Sequence, residues 1–157
     1  MNIDIIGAGI GGLTTAIALE QKGINTTIFE QAKKIKPVGA GIILANNAMQ
    51  IYEKLGLKKI IEENGNPISS MNITKSNLRP LSKIDLTYFQ EKHNTKNIAI
   101  HRGVLQQILI HKLKLTKINL NHKLTSITEN TNGYYLKFEN GKQIQSTTVL
   151  GADGLHS

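Results

Sequence analysis

The sequence predicts an α/β fold built on a parallel sheet, and three observations predict it. Residues 3–12 read Ile-Asp-Ile-Ile-Gly-Ala-Gly-Ile-Gly-Gly, an apolar run followed by glycines at the spacing G-x-G-x-x-G (Gly7, Gly9, Gly12). A second apolar segment, Thr26 to Phe29, ends on Glu30, eighteen positions beyond Gly12. Near the other end of the 157 residues stands Gly151-Ala152-Asp153-Gly154, followed by His156 and Ser157.

Each element has a local cause. Ile3, Ile5 and Ile6 suit a strand buried on both faces, as parallel sheets require. Gly7 permits a tight turn, Gly9 allows the backbone to approach a pyrophosphate, and Gly12 lets the next helix pack close to the sheet. That helix is predicted over 11–22, with Leu13, Ala16 and Ile17 on one face and Gly23 as its C-terminal stop. Its N-terminus offers free N–H groups to an anion. Glu30, at the end of the second strand, stands where a carboxylate accepts a hydrogen bond from a ribose 2′-hydroxyl.

Residues 31–37 read as a polar, basic surface connection. Val38-Gly39-Ala40-Gly41-Ile42-Ile43-Leu44 carries little bulk at three positions, a surface on which a flat ligand can lie. Asn46 or Asn47 is expected to cap a helix bearing Ala48, Ile51, Tyr52 and Leu55, stopped by Gly56. A short helix follows over 57–63. From Ile68 to Ile100 the spacing of Met71, Ile73, Ile84, Leu86 and Tyr88 predicts strands separated by polar turns. Ile98–Ile100 then leads through His101-Arg102-Gly103 into an amphipathic helix with Val104, Leu105, Ile108, Leu109 and Leu113 on its apolar face. Beyond Ile118 the chain is strand-like, with Asn132-Gly133 and Asn140-Gly141 as hairpin turns.

Composition narrows the classes. The chain is long enough for a real core, and without Cys it forms neither disulfides nor thiolate metal sites. No run approaches a membrane span and no signal peptide precedes the first strand, so a cytoplasmic protein without stable membrane insertion is expected. The net charge is +8, but the lysines are scattered and aromatics make up only 4%, so the stacking rings of a nucleic-acid binder are lacking. Nucleic acid is therefore not an expected partner.

On these residues the chain resembles the N-terminal part of the group A FAD-dependent monooxygenases, the family of para-hydroxybenzoate and salicylate hydroxylases. Four blocks carry the likeness: the glycine triplet with Glu30; Gly39-Ala40-Gly41-Ile42 with Asn47-Ala48 and Leu55-Gly56-Leu57; His101-Arg102 heading a helix; and Gly151-Ala152-Asp153-Gly154 with His156-Ser157. The resemblance implies a Rossmann-like FAD-binding domain of the glutathione-reductase-type three-layer form, truncated. Residues 1–67 and 98–157 would form it, and residues 68–97 would be strands of an incomplete substrate domain.

The resemblance also implies roles. Glu30 would hold the adenosine ribose, with Gly7, Gly9 and Gly12 at the pyrophosphate. Gly41 and Ile42 would lie near the flavin ring and Arg102 would contact the cofactor. The backbone of Leu124 would touch the adenine, and Asp153 would serve both FAD and the reduced nicotinamide. No acid, base or nucleophile is evident, and no metal is implied. The chain departs from the family at Asn46, where many relatives have proline, a change expected to loosen the turn. Lysines also replace an arginine often found shortly after the acidic residue.

The activity implied is NAD(P)H-consuming hydroxylation of a small aromatic or polycyclic substrate by dioxygen, the 157-residue chain alone being inactive. Two alternatives stand beside it: a related FAD-dependent reductase or dehydrogenase that inserts no oxygen, and a non-catalytic fragment with residual nucleotide affinity.

Overall fold

A computed structural model describes residues 2–37 and 39–154, except for the Phe89 side chain. Val38, His156 and Ser157, named above, lie outside the described residues. The elements in chain order are β1 (Asn2–Ile6), α1 (Ile10–Glu20), β2 (Asn25–Phe29), β3 (Gly41–Leu44), α2 (Asn46–Lys54), α3 (Lys58–Glu63), β4 (Asn66–Ile68), β5 (Ser70–Thr74) and β6 (Pro80–Asp85). They continue with α4 (Thr87–His93), β7 (Asn97–His101), α5 (Arg102–Lys112), β8 (Lys117–Asn119), β9 (Leu124–Asn130), β10 (Gly133–Phe138), β11 (Gln143–Ser146) and β12 (Val149–Gly151). Contacts group them into two compact units, Met1–Pro37 with Gln106–Ser157, and Val38–Leu105. None of these helices is long and apolar enough to cross a membrane.

The first unit is the α/β body. Its sheet is wholly parallel in the order β12-β1-β2-β8. The chain winds from β1 outward through β2 to β8, then returns to lay β12 on the other flank of β1. A topological switch point therefore lies at the C-terminal end of β1, where open α/β sheets bind ligands. One face of the sheet presents Ile6 and Phe29 to the antiparallel meander β9-β10-β11, whose Leu136 and Phe138 complete a buried cluster. By strand alternation Ile5 and Ile28, both wholly buried, face the opposite side. The helix α1 packs against β1 and β2 and buries Leu13, Ala16 and Ile17. Helix, parallel sheet and meander make three layers.

The turn after α1 closes as predicted. Gly23 has φ +72°, and the Ile24 N–H reaches back to the Leu19 carbonyl. The first meander hairpin is offset by one residue from expectation: Asn130 pairs with Gly133, so Thr131 and Asn132 form the loop. Gly133, at φ +123°, is a paired position where a Cβ would collide with the Ser146 carbonyl of β11.

In the second unit β3, β7 and β4 form an antiparallel sheet of their own. The helix α2 packs on β3 and β7. Neither asparagine caps α2, whose N-cap is Ala45 with no side-chain bond. The Asn46 amide instead donates to the buried Thr95 carbonyl at 2.8 Å, and its N–H to Asn97 Oδ1 at 2.9 Å. A proline at 46 could make neither bond, so asparagine ties this turn to β7 where loosening was expected. The buried face of α2 carries Met49 and Tyr52, while Ile51 is 47% exposed.

Within 68–97, β5 and β6 are strands as expected and pair antiparallel with each other, but Leu86 and Tyr88 are not in a strand. Asp85 Oδ1 accepts from the Thr87 N–H at 2.9 Å and the Thr87 hydroxyl at 2.6 Å, turning the chain into α4. Among the described residues β3, β4 and β7 pair with one another alone, and the compact unit, Val38–Leu105, is wider than this excursion.

Candidate cofactor site

The turn from β1 into α1 is built by three glycines with three different reasons. Gly7 has φ +104°, and a Cβ there would lie 2.5 Å from the Ala152 carbonyl oxygen. A Cβ on Gly12 would overlap the Gly7 carbonyl oxygen, so the helix touches the turn through bare backbone. Gly9 differs. Its φ of −71° and ψ of 178° suit any residue, and a Cβ there would find its nearest protein neighbour, the Ala152 oxygen, 4.0 Å away. Nothing among the described residues demands glycine at 9, so the space in front of it is available to a ligand.

The surroundings of that space suit an anion. No side chain caps the N-terminus of α1, and its first turn carries no acidic residue. Among the described residues the N–H groups of its first turn are thus left without a side-chain acceptor, as a phosphate site requires. Gly7 is fixed by its N–H to the Phe29 carbonyl at 2.8 Å, and Ala152 by its N–H to the Ile6 carbonyl at 2.8 Å. Residues following β1, β2 and β12 therefore meet at the switch point.

Glu30 stands at the end of β2, half-buried. Its Oε2 accepts from the Ala8 N–H at 2.7 Å and its Oε1 from the Ala32 N–H at 2.8 Å. Each carboxylate oxygen retains a further lone pair, so a ribose hydroxyl can still be accepted. The sequence did not suggest this second duty of shaping the glycine turn. It also did not suggest Gln106, whose Nε2 donates to the Ala8 carbonyl at 2.8 Å. No motif links positions 98 residues apart, and only the fold makes them neighbours.

Asp153 follows β12 and is exposed. It lines, with Ile6, Leu124, Ile127, Tyr134, Val149 and Gly151, an open cavity of about 440 Å³. Leu124 and Asp153, far apart in sequence, thus share one hollow between β12 and the meander.

In the second unit Gly41 pairs with His101 and Ile42 with Ile100 across β3 and β7. A Cβ on Gly41 would meet nothing within 4 Å, whereas one on Gly39 (φ +133°) would sit 3.3 Å from the Arg102 Cβ and Cδ. Glycine at 39 therefore admits the Arg102 side chain, and the Arg102 N–H donates to the Ala40 carbonyl at 3.2 Å. His101 Nδ1 accepts from the Gly103 N–H at 3.2 Å, a local bond at the start of α5.

A dinucleotide fits the first unit: space and an uncapped helix N-terminus at Gly9 for a pyrophosphate, and an acceptor at Glu30 for the adjoining ribose. Comparison with known proteins agrees. The FAD binding domain family matches residues 1–157. The chain is 31% identical over 157 residues to the aurachin C monooxygenase/isomerase of Stigmatella aurantiaca, covering 100% of this chain and 41% of that protein. It is 31% identical over 166 residues to the FAD-dependent urate hydroxylase of Klebsiella pneumoniae, again covering 100% and 41%. Among solved structures, Klebsiella pneumoniae HpxO complexed with FAD and uric acid superposes with a TM-score of 0.81 at 25% identity, over 98% of this chain and 39% of that one. The chain thus spans about 40% of the length of the relatives it matches. A parallel sheet entered through a glycine turn, with the FAD binding domain family matching residues 1–157, makes this chain a member of that family.

Proposed function

We propose that the chain is the FAD-binding part of an NAD(P)H-consuming monooxygenase that hydroxylates a small aromatic substrate. The observation that carries this reading is the open space at Gly9 beside an uncapped helix and a free-sided Glu30. Aurachin C monooxygenase/isomerase and urate hydroxylase among the relatives support oxygen insertion in particular. FAD, when bound, supplies the redox chemistry, taking electrons from the nicotinamide and passing them to dioxygen.

The chain's own residues bind and orient. Gly7 and Gly12 hold the turn against β12, Gly9 and the first turn of α1 receive the pyrophosphate, and Glu30 accepts from the ribose. The backbone of Leu124 is assigned to the adenine and Asp153 to the cofactor. Gly41, Ile42 and Arg102 are assigned to the same cofactor on the family likeness. Residues 1–67 with 98–157 are read as the cofactor portion and 68–97 as part of a substrate portion.

The test uses the protein at its full natural length, supplied with FAD, NADH or NADPH, and a panel of phenols and purines under ¹⁸O₂. Substrate-dependent nicotinamide oxidation with one ¹⁸O in the product is expected. Nicotinamide oxidation coupled to substrate reduction, with no label incorporated, would instead establish a reductase.

A further inference from the structure

The glycine turn is held at a single residue from two sides. The Ala8 N–H donates to Glu30 Oε2 at 2.7 Å, and the Ala8 carbonyl accepts from Gln106 Nε2 at 2.8 Å. Ala8 is wholly buried between these two side chains, one from the end of β2 and one from α5. A trans peptide is planar, with its carbonyl and the next N–H pointing in opposite directions. Fixing the Ala8 carbonyl therefore fixes the Gly9 N–H, which donates to no protein acceptor among the described residues.

The absence of a Cβ at Gly9 has two effects that oppose each other. It opens the space for a pyrophosphate, and it removes the steric restraint on the peptide that must face that pyrophosphate. A glycine free to rotate would lose entropy on binding, and the ligand would bear that cost. We propose that Gln106 is a positioning residue for the cofactor: by holding the Ala8 carbonyl it keeps the Gly9 N–H presented to the pyrophosphate of FAD. This role rests on the cofactor reading given above.

The test titrates FAD into flavin-free protein of full natural length, followed by flavin fluorescence, for wild type, Gln106→Leu and Gln106→Glu. Gln106→Leu binds about tenfold more weakly at any pH, the scale of one lost hydrogen bond. Gln106→Glu is similarly weak at about pH 8 and recovers part of its affinity, relative to wild type, at about pH 5, because only a protonated carboxyl donates to a carbonyl oxygen. Flavin-free thermal midpoints stay within a few degrees of wild type. Gln106→Glu preserves size and carries the test should the leucine variant fail to fold. Equal affinities for all three proteins, or the same loss for both variants at both pH values, would overturn the role of Gln106 while leaving the cofactor reading intact. A wild type that takes up no FAD overturns the cofactor reading, and this role falls with it.

Discussion

At the residue scale the glycines divide by what they touch, and the division is testable. Gly9→Val places its side chain where only a ligand would be, so the fold survives and flavin is lost. Gly7→Val forces a β-branched residue to φ +104° against the Ala152 carbonyl, which destabilises the fold itself, by more than about 2 kcal/mol. Thermal denaturation of the two flavin-free variants separates them. A Gly9→Val melting point as low as that of Gly7→Val would show that the space at 9 is structural. Glu30→Ala should weaken FAD by about 1–3 kcal/mol, the cost of a lost charge-assisted bond. Equally tight FMN and FAD binding by the unsubstituted protein would remove the role of Glu30. The glycine spacing and Glu30 were legible in the sequence because each is set by short-range geometry. The second bond of Glu30 to Ala8, the Gln106 bond and the use of Asn46 by Thr95 were not, since each pairs side chains with backbone that only tertiary folding brings near.

At the element scale, periodicity located β1, α1, β2 and α5 within a residue or two, because each has one face set by burial. It failed at Leu86–Tyr88, where a polar device decides the outcome: Asp85 captures two donors of Thr87 and starts α4. Alternating apolar residues carry no information about such a turn. A comparable device joins α1 to the segment before β8. The Glu20 carboxylate accepts from the backbone N–H groups of Lys114 at 3.1 Å, Leu115 at 3.0 Å and Thr116 at 2.6 Å. Partial burial pushes the Glu20 pKa up, but hydrogen bonds from the Thr116 side chain and from these N–H groups outweigh it and hold the carboxyl below its ordinary value of 4.5. The sign follows: the native state favours the ionised form, so its contribution is full above pH 4.5 and is lost as pH falls through the depressed folded value. Glu20→Gln should therefore lower stability at neutral pH, by no more than about 1 kcal/mol given solvent screening, and flatten the acid limb of the stability curve. Melting temperatures measured from about pH 3 to about pH 7 decide it. Parallel acid limbs for variant and wild type would remove Glu20 from the account.

At the scale of the whole molecule, the order β12-β1-β2-β8 places the switch point, and with it the proposed cofactor site, at the end of β1. The βαβ unit and the strand-rich C-terminal stretch of the first unit were legible from spacing and turn residues, whereas its three-layer form was implied only by the family resemblance. The separate sheet β3-β7-β4 was not, because strand pairing partners are chosen by non-local contacts that alternation cannot rank. The second unit leaves a ribbon, β5 with β6, whose Met71, Ile73 and Ile84 share one face and are 39%, 52% and 42% exposed. Two-stranded ribbons are marginal alone and draw stability from cover on the apolar face. The 157 residues also span about 40% of each matched relative. These facts lead to a prediction for the chain by itself. It retains the contacts at Gly9 and Glu30, so ADP and FAD bind with closely similar, weak affinity, the isoalloxazine adding little. It does not hydroxylate, because a flavin open to water returns electrons to dioxygen as peroxide. Calorimetric titration with ADP and FAD, together with peroxide and product assays in NADH and NADPH, measures both halves of this expectation. Much tighter FAD than ADP binding, or substrate-dependent product from the chain alone, would show that these 157 residues already enclose the flavin.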